Sequence, residues 1–305
     1  MFVHESSIQG KRPYQEDRYI VKKYLSSTSN NSIVKTKKSI VGTGTTSETE
    51  NMSRLPIDFL GIFDGHGGPT VSETLSKTLP QYFYKQNILS DNIPRPHSKY
   101  NEYIINTFDQ IQNELSAKHN KSSSQGSTVC LALIYYSKEK KYLTTIWSGD
   151  SRVIGCNNNY IAESLTLDHK PDSPSEMLRI KKLGGTVTFE PNDVPRVDGI
   201  LAVSRSMGDF EQKKTVTHRP DILHYNCNNY KFIVVASDGL YDSMNNQQIV
   251  DFILNAIIER PESLSNQNSK NNLNIASKLA LKAMELGSDD NISIIIYFND
   301  NKFFN

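Results

Sequence analysis

Six stretches of the chain are almost wholly apolar and rich in β-branched or aromatic residues: Ile57–Phe63, Thr128–Tyr136, Tyr142–Ser148, Arg152–Cys156, Phe232–Ser237 and Ile292–Phe298. Their length and composition predict strands. A period near 3.6 runs elsewhere. Ile104, Phe108, Ile111 and Leu115 share one face, as do Ile249, Phe252, Ile253 and Ile257, and again Ala276, Leu279, Ala283 and Met284. These patterns predict amphipathic helices, each packing one side on an apolar surface. A shorter helix is expected from Ser173-Pro174-Ser175-Glu176, with Ser173 as cap, Pro174 in the first helical position and Glu176 completing a capping box; Gly184-Gly185 ends it. The strands cluster instead of alternating strictly with helices, which predicts an α+β fold with a largely antiparallel sheet system and outer helices.

Two polar stretches interrupt this pattern. Residues 26–53 are rich in Ser, Thr, Asn and Lys, with too few apolar side chains to offset the entropy of ordering, and read as a mobile, disordered insertion. Within it, Lys35-Thr36-Lys37-Lys38 is solvated surface first and an import or docking signal second. Ser263 to Asn272 reads as a loop. Residues 1–305 are otherwise expected to form a single domain.

Charge narrows the function classes. With 34 basic and 33 acidic residues, and a net charge of +1, no global field favours nucleic acid. Cys130, Cys156 and Cys227 are scattered and lack a CxxC spacing, which fits a reducing cytoplasmic or nuclear setting and argues against a thiolate zinc site. The first residues carry no apolar signal core, and no stretch is apolar enough to span a membrane, so we expect a soluble monomer without membrane insertion.

Three of the strongest strand candidates end in an aspartate. Ile57–Phe63 leads into Asp64-Gly65-His66-Gly67-Gly68, Phe232–Ser237 into Asp238-Gly239, and Tyr142–Ser148 into Gly149-Asp150. A fourth segment is reversed: Asp290 precedes Ile292–Phe298, so an antiparallel placement brings it to the same rim. Any one Asp-Gly is ordinary turn chemistry. Four acids at one rim repel at neutral pH unless protonated or neutralised, and a divalent cation is the usual remedy. An all-oxygen donor set selects Mg²⁺ or Mn²⁺ over zinc. The glycines after Asp64 and Asp238 allow close backbone approach, and Gly65 offers its carbonyl as a further ligand. His66 lies near enough to act as a general acid, while Gly10 to Asp17 add a guanidinium at Arg12 and two carboxylates at Glu16 and Asp17.

With these segments together, the sequence resembles the PP2C (PPM) family of metal-dependent serine/threonine protein phosphatases. The resemblance runs in order through SIQGKRPYQED (7–17), FDGHGG (63–68), GSTVCLALI (126–134), SGDSRVIG (148–155), DHKPDSPSE (168–176), RIKKLGGTV (179–187), DGILAVSRSMGD (198–209), SDGLYD (237–242) and GSDDNIS (287–293). It implies a PP2C-like β-sandwich of two mostly antiparallel sheets flanked by helices, with a two-metal centre at one end. By the same resemblance Asp64 bridges both ions, Glu16 and the Gly65 carbonyl complete one site, and Asp238 and Asp290 hold the other. Asp150 with Asp238 matches a weaker third metal position, Asp17 is counted with the catalytic residues as a water-orienting group, and Asn291 and Asp242 are supporting groups. Arg12 matches the phosphate-binding arginine, His66 the proposed general acid, and Pro171 to Pro195 a mobile flap beside the cleft.

The implied reaction is hydrolysis of phosphoserine or phosphothreonine proteins by a water activated between two Mg²⁺ or Mn²⁺ ions. Asp289 stands where many relatives carry an uncharged or basic residue, so an effect on metal affinity is expected, of either sign. The alternative reading is a pseudophosphatase, the fold kept as a binding or scaffolding module. The presence of Arg12, Glu16, Asp64, Asp238 and Asp290 weighs against it.

Overall fold

The computed structural model describes residues 2–23, 57–85, 98–118, 124–137, 140–259 and 274–299. The insertion expected at 26–53, its lysine patch and the loop at 263–272 lie outside them. Two five-stranded antiparallel sheets form the centre. The first has the order β1 (Phe2–Ile8), β15 (Ile292–Phe298), β14 (Tyr230–Ala236), β8 (Arg152–Asn157) and β9 (Ala162–Ser164). The second has the order β13 (Asp221–Asn226), β7 (Lys140–Ser148), β6 (Val129–Ser137), β3 (Ile57–Phe63) and β2 (Arg18–Lys22). Two smaller sheets pair β12 (Met207–Gly208), β5 (Gly126–Ser127) and β4 (Gly65–His66), and β10 (Val187–Thr188) with β11 (Arg196–Val197).

Strand periodicity explains the layers. On β14, Ile233 and Val235 point to the sandwich interior, where they join Ile295 and Tyr297 of β15 and Leu60, Ile62, Cys130 and Trp147 of the second sheet. The alternate residues Phe232, Val234 and Ala236 face outward instead, onto α4 (Asp238–Tyr241), α5 (Asn246–Ile258) and α6 (Ile275–Glu285). Phe59, Phe63, Leu131 and Leu133 likewise face α1 (Thr70–Lys85) and α2 (Ser98–Lys118). Each central strand is therefore buried on both faces, which is why it reads as a continuous apolar run. Helix–sheet–sheet–helix layering follows from this, the α+β sandwich expected from the sequence. No helix among the described residues is long and apolar enough to cross a membrane.

One short helix departs from expectation. α3 spans Pro174–Lys182, with Pro174 at its start as predicted, yet Ser173 makes no side-chain cap. Its hydroxyl donates to the Asp168 carbonyl at 3.4 Å, and Glu176 turns away from the helix end. Glu176 is buried between Arg179 and Arg205, accepting two hydrogen bonds from each and one from the Ser204 hydroxyl. Two guanidinium partners hold a buried carboxylate more strongly than one backbone amide, so the capping box gives way to an ion-pair network. Ile180, Val197 and Val216 form a small core beneath this segment, separate from the main layers.

Candidate active site

The two large sheets bring their strand ends to one rim. β3 ends at Phe63, and Asp64 follows with its N–H on the Thr128 hydroxyl at 3.1 Å and its carbonyl accepting from the Thr128 N–H at 2.8 Å. β7 delivers Asp150 and β14 delivers Asp238. Carboxylate oxygens of Asp64, Asp150 and Asp238 all lie within 4.8 Å of one another. They line a cleft of about 380 Å³ together with Arg12, Glu16, Gly65, His66, Lys170, Asp242 and Asp290. Antiparallel pairing of β15 with β14, Ile294 opposite Ala236, carries Asp290 to this rim. The convergence expected from the sequence is present.

Two of the glycines are required by close approach. A side chain at Gly65 would meet the Glu16 carbonyl oxygen at 2.5 Å, and one at Gly239 would meet the Asn291 carbonyl oxygen at 2.2 Å. Both contacts join an aspartate-bearing turn to the segment that supplies the next acid, so the glycines draw the rim together.

Burial and concentrated negative charge together set the electrostatics. Burial, reinforced by Asp17, Asp238, Asp150 and Asp290, holds the Asp64 carboxyl well above the ordinary carboxylate value. Burial and the charge of Asp150 do the same to Asp238, against the opposing pull of Lys170, and Asp242 is raised chiefly by burial. Asp17 lies behind the cleft, buried, accepting from the Ser237 hydroxyl at 2.9 Å; desolvation lifts it to about 6. Asp17 is therefore a support under Asp64 and not a group on the cleft surface.

The amino-terminal segment is laced to the loop before β15. Asn291 accepts from the Glu16 N–H at 2.8 Å and donates to the carbonyls of Gln9 and Tyr14 at 2.7 and 2.9 Å. Arg12 donates through Nη2 to Asp290 at 2.7 Å, and the second Asp290 oxygen accepts from the Asn291 N–H. Asp290 thus faces the rim guanidinium while Asp64, Asp150 and Asp238 gather below. Asp289 pairs with Lys11 at 2.6 Å, both side chains about two-thirds exposed, outside the cleft.

Two partners were not foreseen. His66 Nε2 lies 2.8 Å from the carboxylate of Asp209, which is 1% exposed and also accepts from the Ser206 hydroxyl. Burial alone would lower the imidazole pKa, but the hydrogen bond and charge of Asp209 outweigh it and raise it. Lys170 forms an ion pair with Asp150 and lies 3.8 Å from Asp238. Burial opposes the ammonium charge, and these two carboxylates overcome that opposition, so its pKa is raised. Lys170 and Asp209 both sit inside quoted motifs, DHKPDSPSE and DGILAVSRSMGD, yet no spacing ties either to the aspartates.

The donor set fits hard divalent cations. It is all oxygen, burial and then mutual repulsion push its acids toward protonation, and Lys170 and Arg12 offset only part of the carboxylate charge. Comparison with known proteins points the same way. The family model described as protein phosphatase 2C matches residues 26–292. Protein phosphatase 1L of Bos taurus is 31% identical over 296 residues, covering 95% of this chain and 70% of its own. Probable protein phosphatase 2C 44 of Oryza sativa subsp. japonica is 33% identical, covering 79% of this chain and 68% of its own. The crystal structure of serine-threonine phosphatase 2C from Toxoplasma gondii superposes with a TM-score of 0.71 at 22% identity, covering 97% of this chain and 94% of that one, and so shares the fold. On the ordered motifs, the sandwich and the acidic rim together, the chain belongs to the protein phosphatase 2C family of serine/threonine protein phosphatases.

Proposed function

We propose that this phosphatase hydrolyses phosphoserine and phosphothreonine in proteins at a dinuclear Mg²⁺ or Mn²⁺ centre. The observation that carries this reading is the gathering of Asp64, Asp150 and Asp238 within 4.8 Å, at a cleft rimmed by Arg12 and His66. Asp64 would be shared by two ions, with Glu16 and the Gly65 carbonyl on one and Asp238 and Asp290 on the other. Asp150 with Asp238 would hold a weaker third. When bound, the ions supply an activated water nucleophile and neutralise charge on the phosphoryl group.

The protein's own groups have separable tasks. Arg12 is 58% exposed at the rim, so its guanidinium is free to exchange Asp290 for a phosphoryl oxygen as the substrate arrives. With Nε2 held by the buried Asp209 carboxylate, the protonated His66 ring gives the proton on Nδ1 to the departing alkoxide. Asp17, Asn291 and the Thr128–Ser151 hydroxyl pair, 2.7 Å apart, fix the backbone and acids beneath the cleft.

Asp238→Ala is the direct test. The variant should lose turnover of a phosphothreonine peptide at millimolar Mn²⁺ while keeping the folded far-UV signal. Undiminished turnover would overturn the assignment. Peptide binding without turnover by the wild-type protein would favour the pseudophosphatase reading instead.

A further inference from the structure

Lys170 puts a tethered cation among the carboxylates assigned to divalent ions. Its ammonium pairs with Asp150 and lies 3.8 Å from Asp238, the two acids of the proposed weaker third position, called the outer position below. Asp150 is 2% exposed, so in the absence of this lysine its carboxylate would have little water to turn to.

The lysine is delivered by a rigid mount. The neighbouring His169 N–H donates to the Gly149 carbonyl at 3.0 Å, and the Gly149 N–H donates back to His169 Nδ1 at 3.2 Å. Ser204 donates from both its N–H and its hydroxyl to the His169 carbonyl, at 3.0 and 2.8 Å. The imidazole stacks on Trp147 with 5.8 Å between centroids and 10° between planes. Gly149-Asp150 and His169-Lys170 are therefore one locked unit, so the Lys170 backbone is already fixed and only its side-chain rotamers are ordered when it meets Asp150. The Lys170 carbonyl also accepts from the Ser173 N–H at 3.1 Å, so this residue is the lead-in to α3 and the flap segment.

We propose that Lys170 is a built-in competitor for the outer metal position, its ammonium holding Asp150 and Asp238 until a divalent ion displaces it. The inference rests on the proposed metal centre. A divalent ion and an ammonium repel each other, and neither tolerates sharing the same two carboxylates at this range. Weak binding of the outer ion is then a consequence of the lysine, and binding of that ion releases a side chain at the base of the flap.

The test is metal binding without substrate. Mn²⁺ is titrated into chelator-stripped wild-type protein and Lys170→Gln, with bound metal read by calorimetry and by the electron paramagnetic resonance signal of free Mn²⁺. The weakest site should tighten about tenfold in the variant, while tighter sites change by less than about threefold. A weakest site unchanged or weakened in Lys170→Gln overturns the proposal while leaving the metal centre standing. Absence of Mn²⁺ binding by either protein overturns the metal centre itself, and this proposal with it. A second measurement needs no variant: in the wild-type protein, acylation of Lys170, followed by mass spectrometry, should be slow without metal and faster at saturating Mn²⁺. Equal or slower labelling with Mn²⁺ contradicts displacement.

Discussion

His66 Nε2 sits 2.8 Å from the buried carboxylate of Asp209, a residue 143 positions away in the chain. The pair orients the imidazole over the cleft and favours its protonated form. Asp209→Asn removes the charge and keeps the shape. If His66 protonates the leaving group, turnover of a phosphothreonine peptide should fall by about 10²-fold and that of p-nitrophenyl phosphate by much less, because p-nitrophenolate leaves without help. Equal slowing on both substrates would contradict the role.

Glu176 ties α3 to Arg205 and to the Ser204 hydroxyl, with Arg179 of the same helix sharing its carboxylate. Burial alone would raise its carboxyl, but the hydrogen bonds and charge of Arg205, then Arg179, prevail and lower it from 4.5 to about 2. A folded value below the unfolded one means that Glu176 contributes its full stability above the ordinary value of 4.5. The contribution is then lost as pH falls toward 2. Glu176→Gln should cost about 3 kcal/mol at pH 7. In urea unfolding, the gap between variant and wild type should close progressively below pH 4.5; a constant gap would contradict the ion-pair account.

Gly239 shows how closely the acid-bearing turns are packed. A methyl group there would overlap the Asn291 carbonyl oxygen at 2.2 Å, a backbone atom with no flexible end to move aside. Gly239→Ala should destabilise the protein by about 1–3 kcal/mol. Because Asn291 adjoins Asp290, Mn²⁺ affinity should fall with it. Thermal unfolding with and without Mn²⁺ checks both, and a wild-type melting temperature would contradict the contact.

Asp289 was the sequence feature expected to alter metal affinity. The structure places it 68% exposed, on Lys11, away from the cleft. Asp289→Ala should change stability by less than about 1 kcal/mol and leave Mn²⁺ affinity unaltered. Calorimetric titration reads the second quantity directly; a clear shift in affinity would contradict this placement.

The central strands were readable because burial on both faces leaves them few polar positions; in Ile292–Phe298 only Ser293 and the Tyr297 hydroxyl are polar. β1, β2 and β13 were not, since each is an edge strand carrying mixed polar residues, and pairing with β15, β3 or β7 decides their conformation. α1 carries a buried stripe of Val71, Leu75, Leu79 and Phe83, but Pro80 inside the helix hides it from local rules. Asp64, Asp150, Asp238 and Asp290 were legible because each adjoins a strong strand. Lys170 reaches the cleft, and Asp209 reaches His66, from irregular segments, where tertiary contacts alone decide what a side chain meets. Asp209 even adopts a left-handed backbone, with φ of 48°, that no local pattern announced.

The most direct measurement follows bound Mn²⁺ and phosphate release together as metal is added to chelator-stripped protein. With a phosphothreonine peptide as substrate, turnover should be absent before metal is added and should appear as the tighter ions bind at the acidic rim. Full turnover in chelator, or none from folded protein that has taken up Mn²⁺, would contradict a metal-dependent hydrolase.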